Sequence, residues 1–263
     1  MYNFDVENPT TIADAVAAMG REDAQALGGG QTLIPTLKQR LASPSVLVSL
    51  SNIADIKGVC ITDEGELAVG GATTHATVAR DAADKFVGLA GLASHIGDPA
   101  VRNRGTIGGS LANNDPAACY PAAALGTGAT IITNSRSIAA DDFFQGMFTT
   151  DLEEGEIITE VRFPIPEASN YQKFLQPASR FALVGVFVAK YASGVRVAVT
   201  GASNDGVFRW TEAEDALSAN FSSGALDGLS VAADDMINDL HGTAEYRAHL
   251  VKVMAQRAVS AAS

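Results

Sequence analysis

A chain of 263 residues is long enough for one large domain or two modest ones around a substantial core, and 47% hydrophobic against 18% charged residues is a globular balance. The formal net charge of −12 argues against nucleic acid as a partner, because gripping a phosphate backbone takes a clustered basic face. No apolar run approaches a membrane span and "MYNFDVENPT" has no basic region ahead of an apolar one, so a cytoplasmic protein without a membrane span is expected.

A short strand is expected at residues 2–6. A helix follows from Thr11, with Ile12, Ala15, Val16 and Met19 on one face and Thr10 or Thr11 as cap. "AQAL" reads as a strand running straight into Gly28, Gly29 and Gly30. Beyond them "TLIPTLKQRL" places Leu33, Ile34, Leu37 and Leu41 at helical spacing, with Pro35 tolerable in the first turn. The strand "SVLVSL" completes a small βαβ unit whose glycines sit where a helix N-terminus offers amides to an anion.

From Ile53 the texture changes. "GVCITDEGELAVGGATT" suggests two strands turning at Asp63-Glu64-Gly65, "TTHATVARDAADK" a capped helix and "VGLAGLASHIG" another. "GTIGGSLANNDP" is a second glycine-rich loop, leading into a short alanine-rich helix and a strand at "ATIIT". An alternating strand through Ile157, Thr159, Val161 and Phe163 is closed by Pro164 and Pro166, and the polar "EASN" behind them marks a boundary near 167–170. Past it come the strands "YQKFLQ", "LVGVFVAKYA" and "VRVAVTGAS", with Gly194 turning between the last two. A helical tail then places Tyr246, Leu250, Val253 and Met254 on one side. The pattern predicts an α+β chain: residues 1–168, with subdomains of about 1–55 and 56–168, and a small domain at 169–263 with a three-stranded antiparallel sheet and helices.

Metal chemistry finds little support. Cys60 and Cys119 fit a reducing compartment but are too few for an iron–sulfur cluster, which takes about four thiolates, and read as partly buried apolar thiols. His75, His95, His241 and His249 show no metal-ligand spacing. His75 reads as a helix-start residue in solvent or in a satisfied hydrogen bond, and Arg102 and Arg104 as a solvated or partner-facing pair.

The glycine runs carry the chemistry. Either alone reads equally well as a turn needing positive φ. A nicotinamide fingerprint G-x-G-x-x-G fails at its third position, where Gly28 and Gly30 are followed by Leu33. Together, two side-chain-free loops offer backbone amides to the two phosphates of a dinucleotide, which suits an acidic protein short of free cations. Thr32, Thr106 and Ser110 add hydroxyls beside them, and Asn113, Asn114 and Asp115 suit a ribose or polyol chain. Without a nucleotide, Asp115 before Pro116 would be an ordinary turn or helix-capping residue, and Ile158 and Phe181 plain apolar core.

"LGGGQTLIPTLKQRLASPSVLVSL" and "IGDPAVRNRGTIGGSLANNDPAA" closely resemble the FAD-binding medium subunit of the molybdenum hydroxylases, the carbon monoxide, xanthine and nicotine dehydrogenase relatives; "GEIITEVRFPIP" and the terminal helix extend the likeness along nearly the whole chain. The resemblance implies a two-subdomain FAD-binding fold. By position, Gly28, Gly29, Gly30, Gln31 and Thr32 would wrap the diphosphate of a non-covalent FAD with Leu33 beside it, and Thr106, Ile107, Gly108, Gly109 and Ser110 would form the second phosphate loop. Asn114 and Asp115 would reach ribityl or ribose hydroxyls, and Ile158 would pack on the flavin ring. Gln176 falls where some relatives carry a basic residue near the ring, and Phe181 where some carry a tyrosine.

Three departures matter. Gln31 replaces the histidine of the first motif, though a neutral amide still hydrogen-bonds a phosphate. Phe181 lacks the tyrosine hydroxyl and would gate the flavin by bulk alone, and Gln176 brings no positive charge to it. No triad, paired catalytic carboxylates or metal ligands stand out, and flavin chemistry needs none. The resemblance implies an electron-transferring subunit of a heterotrimer, taking electrons from the 2Fe-2S clusters of a small subunit beside a large molybdopterin subunit, in a dimer of heterotrimers. A self-sufficient flavin oxidase of the vanillyl-alcohol oxidase type and a non-catalytic nucleotide-binding protein are the alternatives. Residues 169–263 are small for the cap domain the former requires.

Overall fold

The computed structural model describes residues 1–263. Its first unit runs β1 (Asp5–Glu7), α1 (Ile12–Met19), β2 (Ala24–Leu27), α2 (Leu33–Lys38) and β3 (Val46–Ser49), with the strands parallel in the order β1-β3-β2. Thr11 is the N-cap of α1, its hydroxyl accepting from Asp14 N–H. The helix turns Ala15 inward against Val48, Ile53, Ile56, Ala72 and Ile157, a core of only 6 buried residues. α2 stops short of its expected end. Arg40 takes a left-handed φ of 60°, and Leu41, expected on the apolar face, is 74% exposed.

The middle of the chain forms β4 (Val59–Ile61), β5 (Leu67–Gly70), α3 (His75–Asp81), α4 (Val87–Ser94), α5 (Pro99–Arg102), α6 (Ile107–Asn113), α7 (Cys119–Thr127), β6 (Thr130–Thr133), β7 (Ser137–Ala139), α8 (Ala140–Phe143) and β8 (Ile158–Phe163). Its five strands pair antiparallel in the order β4-β5-β8-β6-β7. The second glycine loop is not a loop throughout: residues 107–113 are α6, N-capped by Thr106, whose hydroxyl accepts from Gly109 N–H. Two glycines in a first turn disfavour helix, yet contact requires one of them, since a Cβ on Gly108 would stand 2.6 Å from Gly71 O.

The last part comprises β9 (Ala168–Lys173), β10 (Gly185–Tyr191), β11 (Gly194–Ser203), β12 (Gly206–Arg209), α9 (Thr211–Ala219) and α10 (Ala244–Ala261). The three strands read from the sequence are neighbours and antiparallel, and β12 adds a fourth in the order β12-β11-β10-β9. Period-two alternation on β10 sends Val186 and Val188 to α10 while Phe187 and Ala189 join the core around α7. Those two cores hold 29 and 20 buried residues, so this sheet is the wall between them. On α10 Leu250 and Met254 are buried as expected, but Tyr246 is exposed and Arg247 is buried in its place. The Arg247 guanidinium donates to Leu183 O, Gly201 O and Asp239. No helix is long and apolar enough to cross a membrane.

Candidate functional site

A cleft of about 580 Å³ opens between the first unit, the start of α6 and the loop between β9 and β10. Gly28, Gly29, Gly30, Gln31, Thr32 and Leu33 line one wall, and Thr106, Gly108, Gly109, Ser110 and Asp115 the other. Bare backbone lets the walls meet. A Cβ on Gly29 would fall 2.0 Å from Arg104 O, and one on Gly28 would fall 2.8 Å from Thr106 Oγ1. Gly109 differs: a Cβ there would meet only Thr106 Oγ1, at 3.0 Å, and otherwise open space.

The two walls offer different groups. None of the six consecutive amides from Gly28 to Leu33 donates to a protein acceptor, and Gln31 Nε2 reaches back to Gly29 O at 3.3 Å. On the other wall Ile107 N–H donates to Thr73 O, Gly108 N–H to Gly71 O, Gly109 N–H to Thr106 Oγ1 and Ser110 N–H to Thr106 O. The expectation that both loops present free amides therefore holds only for the first. The second contributes the hydroxyls of Thr106 and Ser110 and a Cβ-free floor at Gly109. A row of unspent N–H groups on a cleft wall is able to receive an anion in place of water. Its length suits a diphosphate.

Several expected residues stand elsewhere. Ile107 is fully buried in the core. Asn114, 1% exposed, is turned away from the cleft, and its Nδ2 donates to Gly146 O and Thr149 O at 2.8 Å each. Its φ of 40° ends α6 and aims the next residue, Asp115, back at the cleft. One Asp115 oxygen accepts from Ala117 N–H at 2.9 Å, leaving the other for a ligand hydroxyl, and burial pushes the carboxyl up despite that N–H. β11 pins this segment from behind: Gly201 N–H and Thr200 Oγ1 both donate to Pro116 O.

Ile158 opens β8 at the cleft floor, 5% exposed. Behind it, burial would raise the Glu156 carboxyl, but the Arg136 guanidinium, helped by Thr133 and Ser135 hydroxyls and Glu153 N–H, holds it down at about 2. Phe181, 52% exposed, stands at the mouth, whereas Gln176 on the same loop does not line the cleft. Positive charge arrives from residues the sequence reading passed over, Lys173 and Arg180, both on the cleft lining. Cys119 was also missed and lines the cleft.

His75 is the largest correction. Expected in solvent or in a satisfied hydrogen bond, it is 5% exposed and lines the cleft with Nδ1 buried and unpartnered. Burial, with the Arg102 guanidinium adding to it, lowers its pKa to about 4, so the ring is neutral. Glycine spacing gave no signal for it; only its position at the head of a capped helix did.

Residues 2–166 match the family described as the FAD binding domain in molybdopterin dehydrogenase. The chain belongs to that family. This FAD-binding chain is 35% identical to the carbon monoxide dehydrogenase medium chain of Afipia carboxidovorans, over 99% of its own length and 96% of the other. It is 34% identical to the nicotine 6-hydroxylase medium subunit of Paenarthrobacter nicotinovorans, over 96% and 94%. Carbon monoxide dehydrogenase from Hydrogenophaga pseudoflava superposes with a TM-score of 0.89 at 30% identity, covering 99% of this chain and 97% of that one. Quinoline 2-oxidoreductase from Pseudomonas putida 86 gives 0.88 at 29% identity, covering 98% and 96%. The relatives are subunits of oxidoreductases, and the fold shared with them is the FAD-binding fold of medium subunits. The residues present fit a dinucleotide such as FAD: six unspent amides lie along one wall, and a Cβ at Gly109 would project into the open space between the walls.

Proposed function

We propose that the chain is the electron-transferring FAD subunit of a molybdenum hydroxylase, receiving electrons from the 2Fe-2S clusters of a small subunit and passing them to an external acceptor. The row of unpartnered amides from Gly28 to Leu33 carries the reading, since no group of the protein satisfies them and a dinucleotide diphosphate would. When bound, FAD supplies the chemistry, accepting one or two electrons at its isoalloxazine ring. The chain binds, orients and shields. Gly28 to Thr32 grip the diphosphate with Leu33 beside it, Thr106 and Ser110 close over it, and Asp115 holds a ribityl or ribose hydroxyl. Ile158 packs on the ring, with the Arg136–Glu156 network fixing its strand. Phe181 covers the mouth, and Lys173 and Arg180, not Gln176, bring positive charge near the ring. Residues 1–168 form the cofactor-binding part and 169–263 the wall that pins the Asp115 segment.

The molybdopterin that oxidises the substrate and the clusters that carry its electrons lie in a large and a small partner subunit, within a cytoplasmic dimer of heterotrimers. Names such as medium chain and medium subunit among the relatives support the division. Co-expression with candidate large molybdopterin and small 2Fe-2S subunits should yield a complex whose flavin absorption bleaches on adding the hydroxylase substrate and recovers with an acceptor. A purified full-length chain that stays colourless with excess FAD, or that alone turns over a small alcohol, would overturn the proposal.

A further inference from the structure

We infer that His75 donates a hydrogen bond from Nε2 to the diphosphate of the bound dinucleotide, as a neutral third contact beneath the two glycine walls; this rests on the cleft being the FAD site. The imidazole is the first residue of α3, and three observations fix its place there. Its backbone N–H donates to Gly105 O at 3.0 Å, and Thr74 bridges to Thr106, so α3 is tied to the second wall at this point. Its ring tilts against the fully buried Tyr120 with centroids 5.3 Å apart. A Cβ on Gly105 would fall 2.4 Å from Nε2, so the glycine exists to let the imidazole reach through.

The two ring nitrogens have different surroundings. Nδ1 is buried with no partner, whereas Nε2 also makes no hydrogen bond within the chain but is not shut off from the cleft. An orphaned N–H costs more than an orphaned lone pair, because the N–H must surrender a strong bond to water. The proton of the neutral ring therefore sits on Nε2, facing the cleft. There it points beneath the first wall: a Cβ on Gly29 would stand 2.5 Å from Gly105 Cα, so Gly29, Gly105 and Nε2 are successive neighbours. The ligand group that meets the free amides of Gly28 to Leu33 also meets Nε2, and amides without counter-charge select an anion.

A neutral donor has a use here. The cleft already carries Lys173 and Arg180 at its mouth. A full charge at its floor would bind any phosphate, whereas a neutral N–H adds geometry to the site without adding general affinity for anions.

The test uses the full-length chain stripped of flavin and titrated with FAD. His75→Leu keeps apolar packing against Tyr120 and removes the donor, and His75→Gln puts an amide nitrogen near the place of Nε2. We expect Leu to weaken FAD binding tenfold or more, Gln to stay within threefold of wild type, and both flavin-free variants to melt within a few degrees of it. Imidazole nitrogen-15 resonances of the wild type should show the Nε2–H tautomer, with Nε2 shifting on addition of FAD and Nδ1 not. Equal FAD affinity in the Leu variant, an Nδ1–H tautomer, or an Nε2 signal that ignores FAD would overturn the inference. So would equal losses in Leu and Gln together with a lowered melting temperature, the mark of a purely structural role. A wild type that does not bind FAD at all would instead refute the proposed function.

Discussion

Gly109→Val separates cofactor binding from folding. An ideal Cβ at Gly109 touches only Thr106 Oγ1, at 3.0 Å, a contact a few tenths of an ångström too tight, and its methyl groups would project into the cleft. In the first turn of α6 valine replaces glycine, which suits a helix less well, so the flavin-free chain should keep its stability to within about 0.5 kcal/mol. Binding suffers far more. Holding the diphosphate away from the wall forfeits on the order of two hydrogen bonds to a charged group at about 1.5–3 kcal/mol each, a loss of roughly 3–6 kcal/mol. At 1.4 kcal/mol per decade that is about a hundredfold to ten-thousandfold in Kd. The assay is thermal melting with and without FAD. At a hundred times the wild-type Kd, FAD should add about 2.7 kcal/mol to the wild type and raise its melting temperature by roughly 5–10 °C. The variant should show no shift and elute from gel filtration without flavin absorption. Stoichiometric flavin in the variant, with an undiminished shift, would refute the geometry and place the diphosphate elsewhere.

Gly29→Ala should do the opposite and damage the fold itself: its Cβ would stand 2.0 Å from Arg104 O, backbone against backbone, and driving the walls apart should cost about 1–3 kcal/mol in a urea melt as well as the flavin. Arg136→Met strips the main partner of Glu156, whose side chain is 2% exposed. Because the folded carboxyl sits at about 2 against an ordinary 4.5, the pair stabilises above pH 4.5 and that stabilisation fades as pH falls toward 2; the variant should melt below wild type at pH 7 and converge with it near pH 2. His75 has the reverse chemistry. Its folded pKa of about 4 lies below the ordinary 6.5, so the unfolded chain takes up the proton first and stability falls by about 3 kcal/mol as pH drops from 6.5 to 4. His75→Leu should flatten that limb of a stability-versus-pH curve, and an unchanged limb would mean that the ring is not held neutral.

The first unit was legible because each step carries its own local signal. Thr11 caps, α1 repeats at helical spacing, the glycines interrupt and β3 opens on the apolar run Val46, Leu47 and Val48. The hairpin of β4 and β5 likewise follows from its turn, where Gly65 takes a φ of 83°. What escaped depends on contacts distant in sequence. β12 is only four residues long, and Asn204-Asp205 ahead of Gly206 marked its turn without length to support it. α6 reads as loop because its glycines oppose helix, and the approach to Gly71 that requires Gly108 is visible only in the fold. Asn114 looked like a sugar ligand by type, yet two carbonyls from residues 146 and 149 claim its amide. Burial of Arg247 has no helical-spacing signal either: Leu183 O and Gly201 O, distant in sequence, take its guanidinium as their donor. His75 stands at the head of a capped helix, but whether a helix-start imidazole faces water or a cleft is settled by what packs over it.

The first wall of the cleft belongs to the least securely anchored piece of the molecule, whose core counts 6 buried residues against 29 and 20 in the other two. Opening that piece locally needs far less free energy than melting the whole chain. Flavin loss should therefore be timed by the lifting of residues 5–49 rather than by global denaturation, and amide exchange in β1 to β3 should slow markedly once the nucleotide is seated while β10 and β11 barely change. Every contact made by the diphosphate would double as a rivet, so that the prosthetic group completes the architecture of its own container.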